Sequence, residues 1–266
     1  TRQPHTRRPS NRKPDGRACR GLTLGKLRAH AMTWGAGYDA RVNPFLLALD
    51  PIAVRQGKKS LGDLAMPDAP AGSPFGATGA VAGARRVVVL GDEFAGGWGL
   101  ASQDETLAAR LASRIGVAED VVWQTSATGG ATLRQVHREM LDYLPSPLDM
   151  VVLWVGWGDL LEKTTVDEWR RELAATLAIL CRTGRVLVVG CPPVASMPRL
   201  GFPLKAVLAA RADSFDKVAA EVAAAAGAMF AGSFDLGADG FLADGVHLSA
   251  VGQAVVADRV GATLWP

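Results

Sequence analysis

From Arg85 onward the chain alternates short unbroken apolar runs with longer amphipathic segments. Val87-Val88-Val89-Leu90 is continuous and apolar and stops at Gly91-Asp92, the form of a strand buried on both faces of a parallel sheet. Ser102 and Glu105 stand in capping-box spacing ahead of Leu107, Leu111 and Ile115, which recur at helical intervals up to Gly116. Val121 to Gln124 predicts a second strand, and Thr132 with Gln135 the capped start of a helix running to about Tyr143. Met150 to Val155 predicts a third strand. Thr165 with Glu168 opens a long helix ending near Gly184, and Arg185 to Gly190 predicts a fourth strand. An Ala-rich helix over 204–226, a weak fifth strand from Ala228 to Ala231 and a last helix from Ser249 to about Leu264 complete the series. This alternation predicts the α/β class, with a five-stranded parallel sheet covered by helices on both faces.

Upstream the pattern is poorer. Residues 1–31 are expected to be a basic, disordered tail, residues 32–84 an irregular segment and linker, and residues 85–266 the folded domain. Asn43 to Val54 is apolar, but Pro51 is expected to interrupt any long helix there. Residues 66–84 are rich in Pro, Gly and Ala and read as a draped loop. Met32 opens a segment of different composition, so it is a candidate natural start.

Charge is uneven along the chain. The formal net charge of +3 hides nine Lys or Arg and one acid in residues 1–30, which leaves 20 basic and 25 acidic residues in the remainder. The body is therefore mildly acidic. Nucleic-acid binding needs basic charge on a folded reading module, and none is recognisable here. No stretch reaches the roughly 18 apolar residues of a membrane span. Cys19, Cys181 and Cys191 are odd in number and lack metal-ligand spacing, so a reducing, cytoplasmic location is expected.

Ligands of open α/β sheets bind beyond the carboxyl ends of the strands, so the residues there carry the candidate chemistry. After the first strand comes Gly91-Asp92-Glu93-Phe94, and after the second Thr128-Gly129-Gly130-Ala131-Thr132. The third is followed by Gly156-Trp157-Gly158-Asp159, and the fifth, further on, by Asp244-Gly245-Val246-His247. An Asp three residues before a His can hold the imidazole by Nδ1 and leave Nε2 free as a base. The same spacing also occurs in structural caps.

As an ordered set these blocks resemble the SGNH (GDSL-type) hydrolases. Gly91-Asp92-Glu93 stands where that family has Gly-Asp-Ser, Gly130 where it has its second-block Gly, Gly156-Trp157-Gly158-Asp159 where it has Gly-x-Asn-Asp, and Asp244 with His247 where it has Asp-x-x-His. The resemblance spans residues 85 to 264. It implies a flavodoxin-like, three-layer α/β/α sandwich and hydrolysis or acyl transfer on esters. It also implies catalytic roles at positions 93, 244 and 247, and oxyanion donors at Gly130 and the backbone N–H of residue 93. Two positions depart from the pattern: Glu93 replaces the nucleophilic Ser, and Gly158 the oxyanion Asn. Loss of one such donor typically costs about 100- to 1000-fold in rate, and loss of the nucleophile costs more.

Three roles are open to Glu93. It could clasp His247 as imidazolium together with Asp244, leaving a ligand-binding pseudoenzyme. It could instead be a carboxylate nucleophile toward an alkyl electrophile, or a general base on water. Ser126, Thr128 and Cys191 are weaker substitutes for the missing serine, better read as turn caps and a buried thiol. Trp98 and Trp157 lie in the first and third block loops and read equally as walls of a substrate pocket or as core. Trp123 and Trp154 read as core, and Asp92 and Asp159 as structural acceptors. The implied partner is a small ester, lipid or glycan-like ligand; no metal or organic cofactor is implied.

Overall fold

The computed structural model describes residues 44–162 and 164–264. The expectations for residues 1–31, for Met32 and for the rest of the chain before Pro44 lie outside the described residues. Six strands form one sheet: β1 (Phe75–Thr78), β2 (Arg85–Gly91), β3 (Val121–Ala127), β4 (Met150–Trp154), β5 (Arg185–Val189) and β6 (Met229–Ala231). Their order is β1-β3-β2-β4-β5-β6, with β1 antiparallel to β3 and all other pairs parallel. The five predicted parallel strands are present, and β1 is the addition.

That sixth strand lies inside the stretch read as a draped loop. Its four residues, Phe-Gly-Ala-Thr, give no apolar run because only one side of an edge strand meets the core. Gly76 sits opposite Trp123, and a Cβ there would come within 2.7 Å of the indole. The glycine that weakens the strand signal is what admits the tryptophan.

The N-terminal segment also holds a helix, α1 (Pro44–Leu61), which continues through Pro51. Proline keeps a helical φ and forfeits one hydrogen bond. Tertiary contacts hold the rest: Ala53 is fully buried, a Cβ at Gly57 would lie 3.6 Å from Leu204 Cδ1, and Gln56 Oε1 accepts from Leu204 N at 3.1 Å.

The remaining helices are α2 (Glu93–Gly96), α3 (Leu107–Ile115), α4 (Leu133–Gln135), α5 (Trp157–Glu162), α6 (Val166–Leu180), α7 (Leu204–Ala226) and α8 (Ala250–Leu264). The chain winds from β2 outward to β3, then crosses back over β2 to β4 and on to β6. Right-handed crossovers in opposite directions put their helices on opposite faces. Accordingly α3 packs with α8, and α6 with α7. Capping boxes form at Thr132/Gln135 and Thr165/Glu168 as their spacing predicts. The box expected at Ser102 does not form. Glu105 Oε2 instead accepts from Ala101 N at 3.0 Å, a short 3-10 turn intervenes, and Thr106 becomes the N-cap of α3. The helix expected to reach Tyr143 does so as one α-turn, a π-helical stretch and a 3-10 turn.

The apolar strand runs form the core: Val87 to Leu90 and Met150 to Val155 are buried throughout. Winding reverses between β2 and β4, so the crevice of this fold opens beyond their carboxyl ends. That is where the first and third blocks lie.

Candidate active site

Asp92 organises the end of β2. As N-cap of α2 its Oδ1 accepts from Phe94 N at 3.0 Å, and its Oδ2 accepts from Gly156 N at 3.0 Å and Trp157 N at 3.1 Å. One carboxyl thus ties the first block to the third. Burial, followed by the neighbouring Glu93 charge, pushes its pKa well above the ordinary carboxylate range, against the pull of those three N–H groups. Asp159 is equally structural: its Oδ2 accepts from Leu133 N and its Oδ1 from Thr164 Oγ1, both at 2.7 Å. Burial raises its pKa to about 6.

Glu93 is the first residue of α2 and only 1% exposed. Its Oε2 accepts from Gly130 N at 2.7 Å, and its own backbone N–H also stabilises the carboxylate. Oε1 is buried and has no hydrogen-bond partner among the described residues. Burial raises the Glu93 pKa above its usual value, and the two N–H donors and the His247 charge oppose that rise only in part. The two backbone donors that the resemblance marks for an oxyanion are therefore both directed at a resident carboxylate. Gly130 itself has φ +70°, and a Cβ there would meet nothing within 4 Å, so the space on that side of Gly130 is open.

His247 lies in the turn before α8. Its Nδ1 is 2.6 Å from Asp244 Oδ2, while Asp244 Oδ1 accepts from Val246 N at 2.9 Å and His247 N at 3.0 Å. Burial of Asp244 would raise its pKa, but these N–H groups and the imidazole hold it below the usual range. The imidazole stacks on Phe94 with centroids 6.1 Å apart and planes 19° from parallel. Residues 93 and 247 thus meet at one end of the sheet, 154 residues apart in sequence. His247 Nε2 is buried and without a partner among the described residues, as is Glu93 Oε1. The carboxylate bonds to Gly130 rather than to the imidazole, so the clasp between two acids is not formed.

Gly158, the second residue of α5, is packed against the second block. A Cβ there would lie 2.7 Å from both the Gly130 and Ala131 carbonyl oxygens. The backbone of the second block therefore fills the space that a side chain at 158 would need. Trp157 is buried in the hydrophobic core and edge-on to Phe94 at 6.1 Å. Trp98 is half-buried, with its ring over Gly129, where a Cβ would come within 2.1 Å of it. Cys191 is buried; burial and then Asp216 raise its thiol pKa, which disfavours the thiolate. Ser126 is half-buried and Thr128 exposed.

Two contributors escaped the sequence reading. Gln253 of α8 is fully buried and donates from Nε2 to the Phe94 carbonyl at 2.9 Å, fastening α8 to α2. Arg199 braces the Asp244–His247 turn. Its N donates to Gly245 O at 3.1 Å, its Nη1 to Asp244 O at 3.5 Å, and its Nε to Ser60 O of α1 at 2.5 Å. Neither residue sits in a block, so only the fold connects them to the site. Among the described residues no group of three or more His, Cys, Asp or Glu side chains could hold a metal ion.

The strand order and the His–Asp pair beyond it are those of an open, doubly wound α/β sheet with its site at the switch point. The profile of the GDSL-like lipase/acylhydrolase family matches residues 89–255, and the chain belongs to that family. The fold is similar to that of TesA (21% identity, 68% of this chain and 99% of that one, TM-score 0.55). It is similar too to the lipase/acylhydrolase from Enterococcus faecalis (21% identity, 67% and 94%, TM-score 0.52). The psychrotrophic esterase EstA from Pseudoalteromonas sp. also shares it (17% identity, 68% and 96%, TM-score 0.53). No curated protein matches the sequence. Among the described residues no helix is long and apolar enough to cross a membrane.

Proposed function

We propose that this protein binds a small ester, lipid or glycan-like ligand in an SGNH-type cleft, and that serine-esterase turnover there is weak or lost because Glu93 holds the nucleophile position. The hydrogen bond from Gly130 N to Glu93 Oε2 carries this reading. An acyl oxygen becoming an oxyanion needs that donor, and a carboxylate already occupies it. The second departure acts in the same direction, since Gly158 offers no side-chain donor.

The test uses short p-nitrophenyl esters and a serine-directed phosphonate. Wild type is expected to turn over the esters near the background rate and to resist labelling. Glu93→Ser frees both backbone donors and supplies a hydroxyl beside His247, so both activities should rise. Strong wild-type hydrolysis abolished by His247→Ala but unchanged in Glu93→Gln would overturn the role given to residue 93. A second reading, a pseudoenzyme that binds without any turnover, draws support from the near-complete burial of Glu93 and His247.

A further inference from the structure

Glu93 presents its two oxygens differently, and the difference has chemical meaning. Oε2 accepts from Gly130 N and the residue's own N–H also stabilises the carboxylate, whereas Oε1 is buried and without a partner among the described residues. His247 Nε2 is likewise buried and without a partner among the described residues, with Nδ1 anchored on Asp244. We propose that the site hydrolyses alkylating electrophiles, substrates with a leaving group on saturated carbon, with Glu93 as a carboxylate nucleophile and His247 as the base for a second, hydrolytic step. The proposal rests on the absence of serine chemistry argued above and assigns what the remaining groups do.

The steps balance without a co-reactant other than water. Oε1 attacks the saturated carbon; a C–O bond forms, the carbon–halogen bond breaks, and the halide leaves with the electron pair. Glu93 is now an ester whose carbonyl oxygen is Oε2. Water adds to that carbonyl carbon while His247 Nε2 takes its proton, and negative charge develops on Oε2. That is the atom which already accepts from Gly130 N–H, so this donor stands where the oxyanion forms. Collapse expels the alkoxide, which recovers the proton from His247, and the carboxyl left at Glu93 releases its remaining proton to solvent to restore the carboxylate. The net reaction is alkyl halide plus water to alcohol plus hydrogen halide. An epoxide follows the same path, except that its oxygen stays in the product and takes a proton from water on ring opening; the hydroxide so formed is neutralised when the Glu93 carboxyl re-ionises, and the net reaction is epoxide plus water to diol. A serine ether formed by such an attack could not be hydrolysed this way, because it has no carbonyl carbon. The carboxylate is therefore what makes the route catalytic.

The experiment uses the full chain with two probes, 1-bromobutane and styrene oxide, which separate halide from epoxide sources. Wild type should release bromide or form the diol. Glu93→Gln should lower that rate by about 100-fold or more. His247→Gln should accumulate an ester, seen as the mass of one probe-derived alkyl group on the peptide containing Glu93. A single turnover of wild type in ¹⁸O-water should place the label in Glu93 and leave it out of the butanol, a readout that does not depend on any variant folding. Silence of wild type toward both probes, with no adduct in His247→Gln and no label in Glu93, would overturn the proposal. That result would leave the loss of serine-esterase activity standing. Hydrolysis of p-nitrophenyl esters by wild type would instead strike the reading beneath it.

Discussion

Replacing Gly158 with alanine adds one methyl group at a point enclosed by backbone. The new Cβ would stand 2.7 Å from the carbonyl oxygens of Gly130 and Ala131 and 3.0 Å from the Ala131 carbonyl carbon, where ordinary contact begins at 3.4 Å. The shortfall is about 0.7 Å, and no side chain can rotate away to relieve it, so the second block or α5 must move. Overpacking of this kind costs about 1–3 kcal/mol. For a domain of this size that corresponds to a fall of about 3 to 10 °C in Tm. Thermal unfolding followed by circular dichroism, supported by urea titration, reads the effect directly. A variant melting within about 1 °C of wild type would refute the close approach of 130–131 to α5. The same contact bears on function, because the segment that must shift carries the Gly130 N–H. In a Glu93→Ser background, adding Gly158→Asn supplies the side chain of the family pattern but displaces that donor. The double variant should hydrolyse p-nitrophenyl esters more slowly than Glu93→Ser alone.

Other outcomes follow from single contacts. Asp159 has a folded-state pKa of about 6, above the roughly 3.9 of an unfolded chain. The folded protein thus binds this proton more tightly, and its stability falls as pH rises from about 4 to about 6. The loss is of order 3 kcal/mol, fully present at neutral pH. Asp159→Asn removes this titration, so urea unfolding should show the variant gaining on wild type by about that amount between those pH limits. A constant difference across the range would contradict it. Arg199→Ala removes the brace between Ser60 and the Asp244–His247 turn. It should lower stability by about 1–3 kcal/mol and speed amide exchange at residues 244–247, and unchanged exchange there would rule the brace out. Thr165→Ala breaks a complete capping box on α6 and should cost about 1 kcal/mol in urea unfolding without affecting ligand binding.

The parallel strands, α6 and α7 and the two capping boxes at Thr132 and Thr165 follow from short-range signals. A strand buried on both faces must be apolar throughout, and a cap needs only a hydroxyl and a carboxyl or amide three residues later. The candidate site was legible to the same degree, since the fold brings Glu93, Gly130, Gly158 and the Asp244–His247 pair to one end of the sheet. Elements that depend on a partner were not. Strand β1 exists because β3 offers an edge, and α1 survives Pro51 because α7 offers a surface.

The order of the blocks along the chain was enough to place a carboxylate, an imidazole and two glycines in one neighbourhood and to assign the family's architecture. It could not say which atom the carboxylate would touch. Glu93 takes the N–H of Gly130 rather than the imidazole, a choice set by how closely the packed elements approach one another around two buried side chains. The same closeness leaves no room for a side chain at 158. Distances of that size are set by the packing of the whole sheet and its helices, and no local pattern of residues encodes them.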